Sequence, residues 1–282
     1  MNQSKSYPKV LSIAGSDSSG GAGIQADLKT FSALGVYGAT AITAITAQNT
    51  QGVNSQFALE PQMVYDQIAA VMDDIEPSVV KIGMLSNTAI VEAVAKALHD
   101  YKPSFIILDP VIVSSTGHRL LSIEAQETIK EKLIPIADLL TPNIPEMKAL
   151  TDSSLSSLEE KKEAAQQLFN LGAKAILLKG GHEEGDVKTD VLFVSQQTTD
   201  NGQQTLSMFT SETVVTKNTH GTGCTLSSAI AAFIARGLSL EDAISEAKNY
   251  VTEAIRAGAD INIGKGIGPV NHSFNPQKMI VL

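Results

Sequence analysis

The chain has 282 residues, 43% of them hydrophobic and 18% charged, which is enough apolar surface to bury a core and too much for a disordered chain. Its net charge of -9 excludes an overall positive field for nucleic acid or an anionic membrane, while leaving room for a local basic site. A single cysteine excludes an intrachain disulfide and, with no apolar leader visible in MNQSKSYPKV, points to the cytoplasm; no run approaches the ~18 apolar residues of a membrane span.

Short apolar runs alternate with helical patterns along the whole chain. Val10–Ala14 is a predicted buried strand, with a helix over Ala22–Leu34 stopped by Gly35. A second strand spans Gly38–Ala47, and Pro61 opens a helix over Met63–Ile75. Val79–Gly83 is a strand, Thr88–Leu98 a helix, and Phe105–Leu108 a fully apolar strand ending at Asp109-Pro110. Helices fit Ile123–Leu133 and Leu158–Leu171, with strands at Leu139-Leu140 and Ala175–Leu178. Val191–Phe209 breaks the rhythm with two β-like runs around Asp200-Asn201-Gly202, the pattern of an antiparallel hairpin. Helices return over Cys224–Ala235 and Leu240–Ala257. Strands alternating with helices of this length imply βαβ units: one α/β domain over 1–282, a three-layer α/β/α fold with a mostly parallel central sheet and helices on both faces. Ligands of such sheets sit outside the carboxyl ends of the strands, so the residues there come next.

After the first strand, Gly21-Ala22-Gly23-Ile24-Gln25-Ala26 satisfies the G-x-G-x-x-A spacing of a dinucleotide site. That reading also requires an acid about 20 residues on, yet no Asp or Glu lies between Asp27 and Glu60, and the glycines come too late after the strand. NAD is therefore disfavoured. A turn that lets backbone approach a small ligand and a purely structural turn both remain. Further on, Asp109, Asn143 and Glu146 at neighbouring strand ends could hold Mg²⁺ partly through water, whereas Glu146 alone also suits a helix N-terminus. Lys179, ahead of Gly180-Gly181-His182, can reach a phosphate or lie solvated at a strand edge. Gly221-Thr222-Gly223-Cys224 leads straight into an apolar helix, whose N-terminus and freed amides suit an anion such as a transferring phosphoryl group. Cys224 in that first turn is either a favoured thiolate, with a modestly lowered pKa, or a small residue packed in a tight turn.

Taken together, these segments resemble the ribokinase-like superfamily and, more narrowly, the hydroxymethylpyrimidine/phosphomethylpyrimidine kinases of thiamine biosynthesis. The likeness runs in order from Ile13 to Pro269 through Gly15-Ser16-Asp17, Gln48-Asn49, Lys81-Ile82-Gly83-Met84, Pro142-Asn143, Lys179-Gly180-Gly181-His182, Thr219–Thr225 and Gly264–Pro269. A cysteine at 224, where sugar kinases carry aspartate, fits the pyrimidine branch. The resemblance implies Mg-ATP-dependent phosphorylation of 4-amino-5-hydroxymethyl-2-methylpyrimidine and then of its monophosphate, with pyridoxine or pyridoxal kinase as the nearer alternative. It implies that Gln48 reads the aminopyrimidine edge, with Asp27 and the Gly15 backbone opposite and Met84 against the ring. It further implies Cys224 as the group taking the hydroxyl proton, the amides of Gly221, Thr222 and Gly223 as donors to the phosphoryl group, and Lys179 as a phosphate contact. Asp109, Asn143 and Glu146 would surround Mg²⁺, and the enzyme would be a homodimer.

Overall fold

The computed structural model describes residues 5–113, 120–181, 185–195 and 204–282. Among these residues nine strands form one sheet: β1 (Lys9–Asp17), β2 (Tyr37–Asn49), β3 (Gly52–Ala58), β4 (Val79–Ile82), β5 (Phe105–Leu108), β6 (Leu139–Leu140), β7 (Ala175–Leu178), β8 (Val187–Ser195) and β9 (Gln204–Glu212), in the spatial order β3-β2-β1-β4-β5-β6-β7-β8-β9. The six strands from β2 to β7 run parallel, while β3 at one edge and the β8–β9 pair at the other are antiparallel.

The helices are α1 (Gly23–Ala33), α2 (Pro61–Asp74), α3 (Thr88–Tyr101), α4 (Ile123–Lys132), α5 (Ile144–Thr151), α6 (Leu158–Asn170), α7 (Thr222–Ala235) and α8 (Leu240–Gly258). Strand side chains alternate between two apolar clusters because successive residues of a strand point to opposite faces. Leu11, Ile13, Val80, Ile82, Ile106 and Leu108 pack with α2–α6. Val10, Val79, Ile107, Leu139 and Leu177 pack with α1, α7 and α8. The expected α/β sheet covered by helices on both faces is therefore present.

Two elements escaped the sequence pattern. The edge strand β3, Gly-Val-Asn-Ser-Gln-Phe-Ala, has no buried residue and carries little apolar signal. Helix α5 has only eight residues and opens with Ile144-Pro145 behind its cap Asn143; it was visible only as a charge suited to a helix start. The predicted hairpin is borne out in β8 and β9, which pair in antiparallel register from Val187↔Glu212 to Ser195↔Gln204, and its turn at Asp200-Asn201-Gly202 lies outside the described residues. Among the described residues no helix is long and apolar enough to cross a membrane.

From β1 the chain moves to β2 through α1 on one face. From the adjacent β4 it moves to β5 through α3 on the other. Adjacent strands whose connections leave in opposite directions open a crevice at their carboxyl ends, and the functional side chains collect there.

Candidate active site

A cavity of about 780 Å³ lies across the carboxyl ends of β1, β4, β5, β6 and β7 and the N-terminus of α7. Of the residues nominated from the sequence, Gly15, Gln48, Met84, Asp109, Asn143, Glu146, Lys179, Gly221, Thr222, Gly223 and Cys224 line it. Asp27 does not. His182 lies outside the described residues.

One wall is made by two irregular strands. β1 shifts register against β2 between Ala14 and Ser16, at Gly15. A side chain at Gly15 would begin 2.8 Å from the sulfur of Met84, so glycine lets Met84 lie against backbone. β2 shifts register against β3 between Ala47 and Gln48; such bulges re-aim a side chain near a site. Ser18 Oγ donates to the Gln48 carbonyl at 2.7 Å and accepts its amide N–H at 2.8 Å, pinning the backbone there. The Gln48 side chain lies between Thr46 Oγ1 (3.2 Å) and His220 Nε2 (3.3 Å).

The glycine-rich segment after β1 is folded around a carboxylate. Asp17 accepts from the N–H and hydroxyl of Ser19, from the N–H groups of Gly21 and Ala22, and from His220. Burial alone would raise its pKa, but the hydrogen bonds from His220 and Ser19 hold it well below the usual carboxylate range. Gly221, the cap of α7, has φ +82, and a Cβ there would sit 1.8 Å from the carbonyl oxygen of Gly21. The glycines thus allow two loops to interlock, and no acid stands at the end of β2 to bind a ribose.

Two buried ion pairs are set into the cavity wall, with Lys81, Asp109 and Lys179 lining it. Lys81, on β4, contacts both oxygens of Asp27 at 3.0 Å, and Asp27 also accepts from Ser12 Oγ (2.5 Å) and Ser228 Oγ (2.6 Å). Both side chains are fully buried. The Asp27 oxygens are therefore occupied by Lys81, Ser12 and Ser228, and Asp27 does not line the cavity. In the second pair Lys179 donates to Asp109 Oδ1 at 2.8 Å and lies 3.7 Å from Glu146. Ser227 and Thr141 complete the Asp109 oxygens. Burial would lower the pKa of both lysines, yet their carboxylate partners hold them well above the ordinary range, so both are ammonium groups.

Asn143 and Glu146 form a capping box at α5: Asn143 Oδ1 accepts from Glu146 N and Glu146 Oε2 from Asn143 N, each at 2.8 Å. Burial, with the charge of Asp109 adding, raises the Glu146 pKa to about 7 against the pull of Lys179 and the Asn143 amide. Among the described residues no group of three or more His, Cys, Asp or Glu side chains is set to hold a metal ion.

Cys224 is half-buried on the cavity wall. Burial pushes its thiol up to about 11, with Asp27 and Asp109 adding to the rise, while Lys81 and a backbone hydrogen bond to Gly23 draw it down. The expected lowering is thus reversed, because loss of water outweighs the nearby positive groups. Asp17, His220 and Lys81 were not singled out as site residues from the sequence. The available signal was Lys81 itself, a lone charge inside the apolar run Val79-Val80-Lys81-Ile82 of a strand covered on both faces.

Residues 17–271 match the family model described as phosphomethylpyrimidine kinase. The chain is 46% identical over 264 residues to the hydroxymethylpyrimidine/phosphomethylpyrimidine kinase of Escherichia coli, covering 93% of this chain and 96% of the relative. It is 45% identical to the Thiamine biosynthesis bifunctional protein of Geobacter sulfurreducens, of which it spans 54%. Among solved structures, phosphomethylpyrimidine kinase from Clostridium difficile 630 superimposes with a TM-score of 0.75 at 42% identity, covering 88% of this chain and 99% of that one. The ADP complex of Bacillus subtilis pyridoxal kinase gives 0.84 at 35% identity, covering 95% and 98%.

The geometry makes two expectations measurable. Asp27→Leu strands the Lys81 ammonium without a partner and costs about 3–5 kcal/mol in urea unfolding, whereas Asp27→Leu with Lys81→Met recovers most of it; equal losses in the two variants would remove the ion pair as the cause. Iodoacetamide alkylation of Cys224 in the free protein rises about tenfold per pH unit from pH 7 to 10, because the thiolate is the reactive form and is scarce below a pKa near 11. A plateau below pH 9 contradicts the burial effect.

Proposed function

The chain belongs to the phosphomethylpyrimidine kinase family, and from that we propose that it phosphorylates 4-amino-5-hydroxymethyl-2-methylpyrimidine and then its monophosphate with ATP in thiamine biosynthesis. The observation that carries this reading is the meeting of Gln48, Lys179 and Cys224 on one cavity around the N-terminus of α7. The ring lies between the Gln48 amide, which both donates and accepts, and the adaptable apolar wall of Met84. At the far end Val251 and Ile255 of α8 offer an apolar wall for the nucleotide base.

The γ-phosphoryl group sits at the α7 N-terminus. There the first-turn amides around Gly221, Thr222 and Gly223 have no intrahelical acceptor; Thr222 N–H leans on Thr219 O at 3.3 Å, so the neighbouring amides carry more of the work. A Cβ at Gly223 would lie in ordinary contact with Lys179 Nζ, at 3.5 Å, so the ammonium stands beside the same helix start. These donors stabilise charge on the phosphoryl oxygens as it transfers. In the first reaction the substrate oxygen bonds to the γ-phosphorus, the bond to the departing ADP breaks, and the hydroxyl proton passes to the Cys224 thiolate. Burial makes that thiolate a strong base present in a small fraction, so the step accelerates with pH.

Hard oxygen donors suit Mg²⁺, and the Glu146 carboxyl, raised in pKa by burial and by Asp109 despite Lys179, would gain from a cation. Glu146 would be the residue to hold the ion. Asp109 and Asn143, whose oxygens serve Lys179, Ser227, Thr141 and the α5 cap, contribute through water. Mg²⁺ supplies neutralisation of the phosphate charge when bound.

The setting in this reading is cytoplasmic, and the partners are small molecules and a second copy of the chain. Ile45 and Phe57, paired across β2 and β3 and 49% and 68% exposed, are apolar surface that a homodimer would cover. Pyridoxal kinase is the second reading, favoured by the TM-score of 0.84, but sequence identity is higher to the pyrimidine kinases.

Purified protein with ATP converts the pyrimidine alcohol to its diphosphate; ATP consumption with pyridoxal and no pyrimidine diphosphate would establish the second reading instead. Gln48→Ala lowers kcat/KM for the pyrimidine by about 10–100-fold through unpaired ring polar atoms, and an unchanged value removes Gln48 from recognition. Cys224→Ala lowers kcat for the alcohol by about 10²–10⁴-fold. The same variant largely spares transfer to added monophosphate, whose second ionisation near pKa ~6 leaves no proton to remove at pH 8. Equal losses in both steps would mean that Cys224 shapes the site rather than takes a proton.

A further inference from the structure

Gln48 lies between two groups whose hydrogen-bonding roles are already fixed by other partners. Thr46 Oγ1 is 2.9 Å from the carbonyl oxygen of Ser16, which can only accept, so the single hydroxyl proton points there. Toward the amide of Gln48, 3.2 Å away, Thr46 Oγ1 can then only accept. On the other side His220 Nε2 is 2.8 Å from Asp17 Oδ2. Asp17 is an ionised carboxylate gathering the donors of Ser19, Gly21 and Ala22, so Nε2 carries a proton and donates to it. Toward the amide, 3.3 Å away, Nε2 therefore has no lone pair to offer and presents only a second, longer branch of the same N–H.

Both neighbours demand the same thing of Gln48: carbonyl toward His220 and NH₂ toward Thr46. The reverse placement, with nitrogen 3.3 Å from His220 Nε2 and oxygen 3.2 Å from Thr46 Oγ1, opposes two N–H donors and asks one hydroxyl proton to serve two acceptors. A half-turn of the amide, which leaves its shape unchanged, removes the opposed donors and the shared hydroxyl proton: the NH₂ donates to Thr46 Oγ1, and the carbonyl faces the one His220 N–H, which Asp17 accepts at closer range. We propose that His220, ordered by Asp17, is a positioning residue that together with Thr46 holds the Gln48 carbonyl toward His220 and its NH₂ toward Thr46, and so decides which ring edge the cavity accepts. This deepens the function proposed above and rests on it.

The held amide keeps one acceptor position on the His220 side and one N–H on the Thr46 side. Its complement is a ring edge with an exocyclic amine beside a ring nitrogen, the amine facing His220. A pyridine whose nitrogen is flanked only by carbon substituents supplies the acceptor but no donor, and leaves the Gln48 carbonyl unpaired. The rest of the surroundings fixes where the Gln48 amide sits, leaving its orientation to Thr46 and His220. Its backbone is pinned by Ser18, and the His220 ring is wedged so closely that a Cβ on Gly21 would lie 2.3 Å from its Cδ2.

The orientation can be read directly by NMR on ¹⁵N-labelled protein, with the Gln48 side-chain amide assigned by its loss in Gln48→Ala. Its protons give stronger Overhauser contacts to the Thr46 side chain than to the His220 ring; the opposite ranking overturns the proposal. This arm needs no turnover, so it decides the orientation even if neither vitamin precursor is phosphorylated, an outcome that would instead overturn the function proposed above. In kinetics, His220→Phe keeps ring size and loses the donor. It lowers the ratio of kcat/KM for the aminopyrimidine alcohol to that for pyridoxal by about tenfold, and His220→Gln, which retains an N–H, restores part of it. In a Gln48→Ala background His220→Phe changes the ratio less than twofold, because its effect passes through Gln48. Equal effects in both backgrounds would make His220 a packing residue and end the proposal.

Discussion

Two ammonium groups are buried at the carboxyl ends of the sheet, and the first turns of α7 are built over them. Lys81 is held by Asp27 and Lys179 by Asp109. Removing four charges from water is costly and is offset only when each remaining valence finds a partner. Here the partners come from α7 itself, where Ser227 donates to Asp109 and Ser228 to Asp27. Adjacent residues of one helix thus tie down both pairs and set the depth and rotation at which α7 meets the sheet. Cys224, one turn earlier, is thereby fixed on the cavity wall between two positive charges.

This arrangement explains why positive charge near Cys224 does not make it an ordinary reactive thiolate. Each lysine arrives with its own carboxylate, so the thiol experiences nearly balanced charge, and the loss of water decides the outcome. Glu146, buried beside another carboxylate, gives way first and has the raised pKa.

The glycine-rich segments serve a different purpose from the one their spacing first suggests. Around Gly21 and Gly221 the absence of side chains lets the loop after β1 and the loop before α7 touch backbone to backbone. Asp17 and His220 close the same junction through their side chains. The two loops lie about two hundred positions apart in the chain, and their junction sets the Gln48 side of the cavity against the residues that lead into α7.

Most of the fold was legible in the sequence because its signals are local. Four-residue apolar runs such as Phe105–Leu108 bounded by turn residues mark buried parallel strands, and helices with one apolar stripe mark the covering layers. The strand-end rule then singled out Gly15, Asp109, Asn143 and Lys179, which do line one cavity. β3 was invisible because an exposed edge strand owes its existence to pairing with β2 and not to its own composition. What only the tertiary structure decided were the partners and the degree of burial: that Asp27 faces Lys81 instead of the cavity, that the Cys224 thiol is raised in pKa, and that Asp17 and His220 meet beside Gln48. Side-chain periodicity records which face a residue occupies. The strength of a charge and the direction of a hydrogen bond depend on distance and on exclusion of water, and both are set by residues brought together from far along the chain.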